Sequence, residues 1–516
     1  MLKNYTDDYI RINPTINDAI GLDDYKHLNN ILPNKYSATY RQVNRNLMHT
    51  YLAAIQKRKR LTTHESILSY NLHMTIEADD KYNFDLIPIT HLDNIYLDYF
   101  EMATGKSFYK FKKRSDYSDF LDRLKVFADI TCSIIHQFNK GIVKGYVLPK
   151  IMTQLLIDQL NTLIRTSLTN PDAKFAKEAE GYLKPAMKQM VDYLRKVYLK
   201  QSRDTIGWVG LPNGKKEYEY LVRSNTSMKN VSVSEIHKYG MAEIKRIKTE
   251  MKKVSGSLSP EEYYKRIDND PKYTFGTEKA LLAHYDKIQK HVLDYIFVDR
   301  FKNTIGNKAV TPIKTVPKYN QAFSSDAYYY HGDTSGKRSG AFYLNTLSLD
   351  THKSFTTLSL FLHEAVPGHH FHITSINHNR SLPLYLKLIN ATAYYEGWGL
   401  YCENLYDYQY DAVYFGKLKL ELLRATRLVL DTGIHHYGWS YKKALTFFQN
   451  NSFEEPKNLL SELQRYIADP GQALAYKMGE KVFLDLRKKF KGTDKQFHTK
   501  CIDGGPRPMF MLMDKR

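Results

Sequence analysis

Cysteine is scarce in this chain. Cys132, Cys402 and Cys501 are the three present in 516 residues, widely spaced and odd in number. That excludes a disulfide framework and a cysteine-based zinc site, and it suggests a reducing compartment. No stretch approaches the ~20 consecutive apolar residues needed to span a bilayer, so no membrane partner is expected. The opening residues, MLKNYTDDYIRINPT, mix acids, bases and a proline instead of the apolar core of a secretory signal. The expected location is therefore cytoplasmic. Internal repeats, low-complexity tracts and a clear linker are also missing. This favours one unit over residues 1–516, with two lobes, about 1–200 and about 201–516, as the alternative. Neither a Gly-x-Ser-x-Gly elbow nor a Walker-type loop occurs, which sets aside two large enzyme classes.

What the chain does have is an ordinary globular composition, 42% hydrophobic and 25% charged. Its net charge of +20 invites a nucleic-acid reading. The Lys and Arg are scattered, however, with no basic tail or helix stripe, so a solvated basic surface is expected. Helical periodicity dominates. Ile151, Leu155, Leu156, Leu160, Leu163 and Ile164 form one stripe after Pro149, and Leu418, Leu422, Ala425 and Val429 form another. Ser232 and Glu235 read as a capping box opening a further helix. The best strand signal is Ala341–Asn345, and loops are expected over 201–216 and 302–339. The predicted fold is mostly α, with a small β element just before a histidine cluster.

That cluster is the strongest chemical signal. His352, His363, His369, His370, His372 and His378 fall within 27 residues, where an even spread of the nineteen histidines would put about one. Chance on a polar helix face is the plain reading; a metal site is the sharper one, because neutral imidazole suits zinc. The apolar run Phe355–Leu362 is compatible with a buried helix delivering His363 and Glu364, and a buried carboxylate beside an imidazole needs a compensating charge. The familiar His-Glu-x-x-His spacing fails, since position i+4 from His363 is Pro367. The next histidine, His369, stands at i+6, about 240° around a regular helix. Pro367 and Gly368 are the residues best suited to overwinding or bulging the helix until His369 returns toward His363. Glu396, 27 residues past His369, offers a third ligand from a second helix, the alternative being an exposed helix residue. Two histidines and a glutamate with an open fourth position form a catalytic zinc ligand set.

At these residues the chain resembles a known family. His363-Glu-Ala-Val-Pro-Gly-His-His370, Tyr395-Glu-Gly-Trp-Gly-Leu-Tyr401 and Asp431-Thr-Gly-Ile-His435 resemble the signatures of "domain of unknown function 885". Weaker likenesses run through Asp204–Pro212, Pro470–Gly479 and His498–Pro508. One departure is His372, where that family commonly has glutamine. Members are predicted zinc peptidases, distantly similar to helical gluzincin oligopeptidases and carboxypeptidases.

The resemblance implies one Zn2+ per chain held by His363, His369 and Glu396, with Glu364 as general base and a peptide as substrate. It also implies that His435, Tyr476 and Arg465 stabilise an oxyanion or hold a substrate carboxylate. The plainer alternatives are an ordinary helix histidine, one of 41 tyrosines, and a surface ion-pair partner. The strand carrying Tyr343 and Asn345 would pair with an extended peptide. Rival readings are a zinc hydrolase of non-peptide amides and a catalytically silent scaffold of the same fold.

Overall fold

The periodic stripes become helices in almost every part of the computed structural model, which describes residues 1–105, 109–318, 321, 326–336 and 338–512. Proline at the N-cap position opens Lys150–Arg165, whose Leu156 and Leu160 are buried as the stripe predicts. Ser232 and Glu235 close a reciprocal capping box at the start of Val233–Ser255. The longest helix, Ala412–His435, buries Leu418, Leu422, Ala425 and Val429. It is also buried on its other faces, so it runs through the interior. Val233–Ser255 crosses it closely at Gly240, where a Cβ would stand 2.8 Å from both Leu428 Cβ and Val429 Cγ2.

The two largest apolar cores both draw on residues from either side of position 200. One joins Phe127, Leu156 and Leu183 to Leu430 and Tyr466. The other joins Leu52 and Ile67 to Tyr285, Phe342, Phe361 and Trp398. Among the described residues no helix is long and apolar enough to cross a membrane.

The β element is a three-stranded sheet of order β1-β3-β2, with β1 over Ile313–Thr315, β2 over Ala327–Tyr330 and β3 over Ala341–Leu344. β1 runs parallel to β3, and β2 antiparallel, with Tyr328 opposite Tyr343. The expected strand is thus present, one residue shorter. The expected loop over 302–339 is corrected, because it contains β1 and β2. Strands of three and four residues are too short to show alternation, and their hydrogen-bonding partner is β3 rather than each other. The loop expected over 201–216 contains a 3-10 turn at Trp208–Gly210, and a helix starts at Gly214.

Candidate metal centre

The His363 helix, Ser354–Glu364, is apolar enough to sit inside the protein, and it brings His363 in at 2% exposure. The structure then corrects the expected bulge: the helix does not continue distorted but ends at Glu364. Ala365 leaves helical geometry at φ −106°, ψ −106°, the Val366–Pro367 peptide is cis, and a new helix, His369–His378, starts after Gly368. A glycine is required at 368 because a Cβ there would lie 1.9 Å from the His363 carbonyl oxygen and 2.4 Å from that of Leu362. Trp398 fastens the break by donating its indole N–H to the Pro367 carbonyl at 2.9 Å. Two helix ends therefore meet, and the two imidazoles face each other nearly perpendicular, with centroids 4.8 Å apart.

Glu396 arrives on the helix Thr392–Glu403. This helix lies backbone to backbone against Leu474–Lys489, since a Cβ on Gly397 would fall 2.4 Å from the Gly479 carbonyl carbon. On the same helix, a Cβ on Gly399 would come within 2.8 Å of the His363 ring, so this glycine makes room for the imidazole. Glu396 Oε2 ends 3.5 Å from both His363 Nε2 and His369 Nε2. One donor atom from each of the three residues lies within 4.8 Å of the others. Tetrahedral zinc with bonds of ~2.0–2.1 Å needs donors about 3.4 Å apart, so the two Glu396–histidine separations already fit and the widest separation would have to close by up to about 1.4 Å. Electrostatics agree with a site built for a cation. Burial works against ionisation of Glu396, but the hydrogen bonds with His363 and His369 win and hold its carboxyl well below the usual range. Burial likewise opposes protonated His363, yet Glu396 and Glu403 raise it to about 9. A proton there compensates the carboxylates in the way a metal would.

Sequence reasoning missed the partner that orients His363. Glu403, 1% exposed, accepts from His363 Nδ1 at 2.8 Å and from Ser359 Oγ at 2.7 Å, with Arg424 Nη2 at 3.8 Å. Burial alone would raise the Glu403 pKa; Arg424, His363 and Ser359 lower it, so the carboxylate is kept ionised. With Nδ1 committed to Glu403, Nε2 is the nitrogen that faces Glu396, and it would offer its lone pair to a cation that displaces its proton. The available signal was spacing: Glu403 is seven residues, two helical turns, beyond Glu396.

Glu364 sits beside the ligand set without belonging to it, and its Oε2 accepts from the Tyr329 N–H of β2 at 2.9 Å. His370 points elsewhere, its Nε2 donating to the Lys308 carbonyl at 2.8 Å. His372 is fully buried among Tyr394, Tyr395 and Trp398, and burial holds it well below the usual histidine range. Tyr476 comes close enough to Glu396 to feel its charge and receives a 3.2 Å hydrogen bond from Arg465. His435 is not brought to the site. Its Nδ1 accepts from the Trp208 N–H at 3.2 Å and its Nε2 donates to the Tyr466 carbonyl at 2.8 Å, so neither nitrogen remains for a substrate. β3 is paired on both sides, which leaves no open edge for a peptide at Tyr343. The Asn345 amide is occupied locally, donating to the Gln321 carbonyl at 2.7 Å and accepting from the Leu347 N–H at 3.1 Å.

No curated protein matches the chain. Its fold recurs in solved structures, two putative lipoproteins among them. The "putative lipoprotein from Colwellia psychrerythraea" superposes with a TM-score of 0.86 at 19% identity, over 99% of this chain and 96% of that one. A "putative lipoprotein of unknown function from Shewanella oneidensis" gives 0.72 at 15% identity, over 99% and 98%. At such identities the likeness speaks for the fold alone. Residues 14–515 match the family described as "Bacterial protein of unknown function (DUF885)", and the chain belongs to that family.

Proposed function

We propose that this chain is a zinc-dependent peptidase, of oligopeptidase or carboxypeptidase type, that hydrolyses short unstructured peptides. The observation carrying this reading is the convergence of His363, His369 and Glu396 within 4.8 Å, with Glu364 beside them and free of the ligand set. Held by those three residues, one zinc ion would supply Lewis acidity, polarising a carbonyl oxygen and lowering the pKa of a water. Glu364 is the general base, taking the proton of the attacking water and returning it to the leaving amine. The Tyr329 N–H keeps that carboxylate turned toward β2. β2 is an edge strand of the sheet, and its nearness to Glu364 favours it over β3 for pairing with an extended peptide. Arg427 and Arg465 both contact Glu462, and both guanidiniums lie against the Tyr476 ring. Such guanidiniums suit a peptide carboxylate, and the Tyr476 hydroxyl suits a developing oxyanion.

The test combines metal analysis of the purified protein with product mapping on mixed peptides. Stoichiometric zinc and discrete cleavage products are expected. Glu364→Gln is expected to retain the metal and lower turnover at least ~10²–10⁴-fold. A protein without stoichiometric zinc, or near-normal hydrolysis by Glu364→Gln, would refute the reading.

A further inference from the structure

A cavity of about 350 Å³ opens at the end of the His363 helix away from the candidate metal centre. Its walls include Ser354, Thr357 and Leu358 of that helix, together with residues of Glu278–His291 and of the segment 406–413; none of them belongs to the candidate metal centre. Two properties define what it would take. The first is a continuous ring wall: the His291 and Tyr406 centroids are 6.0 Å apart, and those of Tyr406 and Tyr408 are 4.9 Å apart. Ile288, Leu358 and Val413 add aliphatic surface. The second is charge. Lys287 stands at the cavity and forms no ion pair or hydrogen bond among the described residues. Asp411, the acid in the lining, is occupied in capping its own helix, accepting from the N–H groups of Val413 at 2.9 Å and Tyr414 at 3.1 Å. The Tyr408 hydroxyl is buried beside Ser359 with no hydrogen-bond partner of normal geometry.

We propose that this cavity is a binding site for a small organic carboxylate with an aromatic or branched aliphatic body. The volume lies at the lower end of the ~300–1,000 Å³ usual for ligand pockets, which suits one ring and a short chain rather than a nucleotide or a folded partner. The body lies against the rings and aliphatic side chains, and the carboxylate meets the unpaired Lys287 ammonium, with His291 nearby. The proposal is independent of the peptidase reading, because none of its residues is a candidate ligand or base.

The test is calorimetric titration with 3-phenylpropionate and with its uncharged amide. The acid is expected to bind one per chain, and the amide roughly tenfold more weakly, as losing one charge contact of about 1.4 kcal/mol requires. Lys287→Glu, an exposed change that leaves the core alone, is expected to weaken the acid at least tenfold. Val413→Trp, which fills the cavity, is expected to remove binding. Glu396→Ala is expected to leave it unchanged. No saturable binding at millimolar acid, equal affinity for the amide, or indifference to Lys287→Glu overturns the proposal. Loss of binding in Glu396→Ala also overturns it, by assigning the carboxylate to the metal centre.

Discussion

Replacing Glu403 by glutamine tests whether the His363 imidazole is set by its outer partner. The wild-type carboxylate accepts from His363 Nδ1 and Ser359 Oγ and faces the Arg424 guanidinium at 3.8 Å. Glutamine is nearly isosteric, so its carbonyl oxygen still accepts from Nδ1 and the tautomer is preserved. What disappears is the negative charge. The imidazole becomes a weaker donor to a cation, the new amide N–H₂ is presented to Ser359, and Arg424 loses its neighbouring carboxylate in a dry setting. Changes to such partners cost about 10–100-fold in metal affinity, or about 1.4–2.7 kcal/mol. Glu403→Ala goes further by removing the carboxylate that compensates the buried Arg424, whose Nη1 keeps only the Leu420 carbonyl, and about 3–5 kcal/mol of fold stability is expected to be lost. Competition against a chelator of known zinc affinity measures the first quantity, and urea unfolding the second. If Glu403→Gln binds zinc within about threefold of wild type, well below that range, Glu403 does not tune the site.

Three further outcomes follow from the geometry. His369→Ala is expected to abolish stoichiometric zinc binding, whereas His370→Ala, whose ring is engaged with the Lys308 carbonyl, retains it; metal analysis of both variants decides, and the reverse pattern refutes the assignment. Asp431 is buried, and burial pushes its pKa up to about 7 against the hydrogen bonds from Tyr218 and the Gly471 N–H. Its folded-state pKa is raised, so its contribution is fully present below about pH 4 and is lost as pH rises through 7, by an amount on the order of 4 kcal/mol. Asp431→Asn keeps an acceptor for both donors and is expected to flatten the fall in urea midpoint between pH 5 and 7.5; a parallel fall in both proteins contradicts this. Gly397→Ala is expected to destabilise by about 1–3 kcal/mol through forced separation of two helices. Gly181→Ala, with nothing within 4 Å of its added Cβ, serves as the control and is expected to be neutral or stabilising in the same unfolding assay.

The residues of the candidate centre were legible because chemistry and order coincide there. His363, Glu364 and His369 lie in one short segment, and Glu396 stands in a glycine-flanked helix that announces close packing. The path between the histidines was not legible as drawn. Proline and glycine imply a disturbance, but whether a helix bends or stops depends on what receives its end, and here Trp398 does so from 31 positions away. Glu403 was hidden for a similar reason: a charged residue at a helix end reads as solvent-facing until Ser359 and Arg424, both distant in sequence, close around it. His435 shows the opposite failure. Its motif suggested chemistry, while its ring ties two backbone segments together. The helical stripes were recoverable because periodicity is local, whereas β1 and β2 exist by virtue of β3.

The contact between Gly397 and Gly479 fixes the height at which Glu396 enters the site. Where two helices meet through side chains, their separation drifts with every change of residue size. Where they meet through bare backbone, it is set by the van der Waals radii of the main chain and by little else. The surrounding aromatic core, with Trp398, Tyr401 and Phe483 in mutual contact, can therefore vary its volumes in a lineage without shifting the carboxylate. The crossing works as a mechanical datum, a reference surface from which the position of one oxygen is measured.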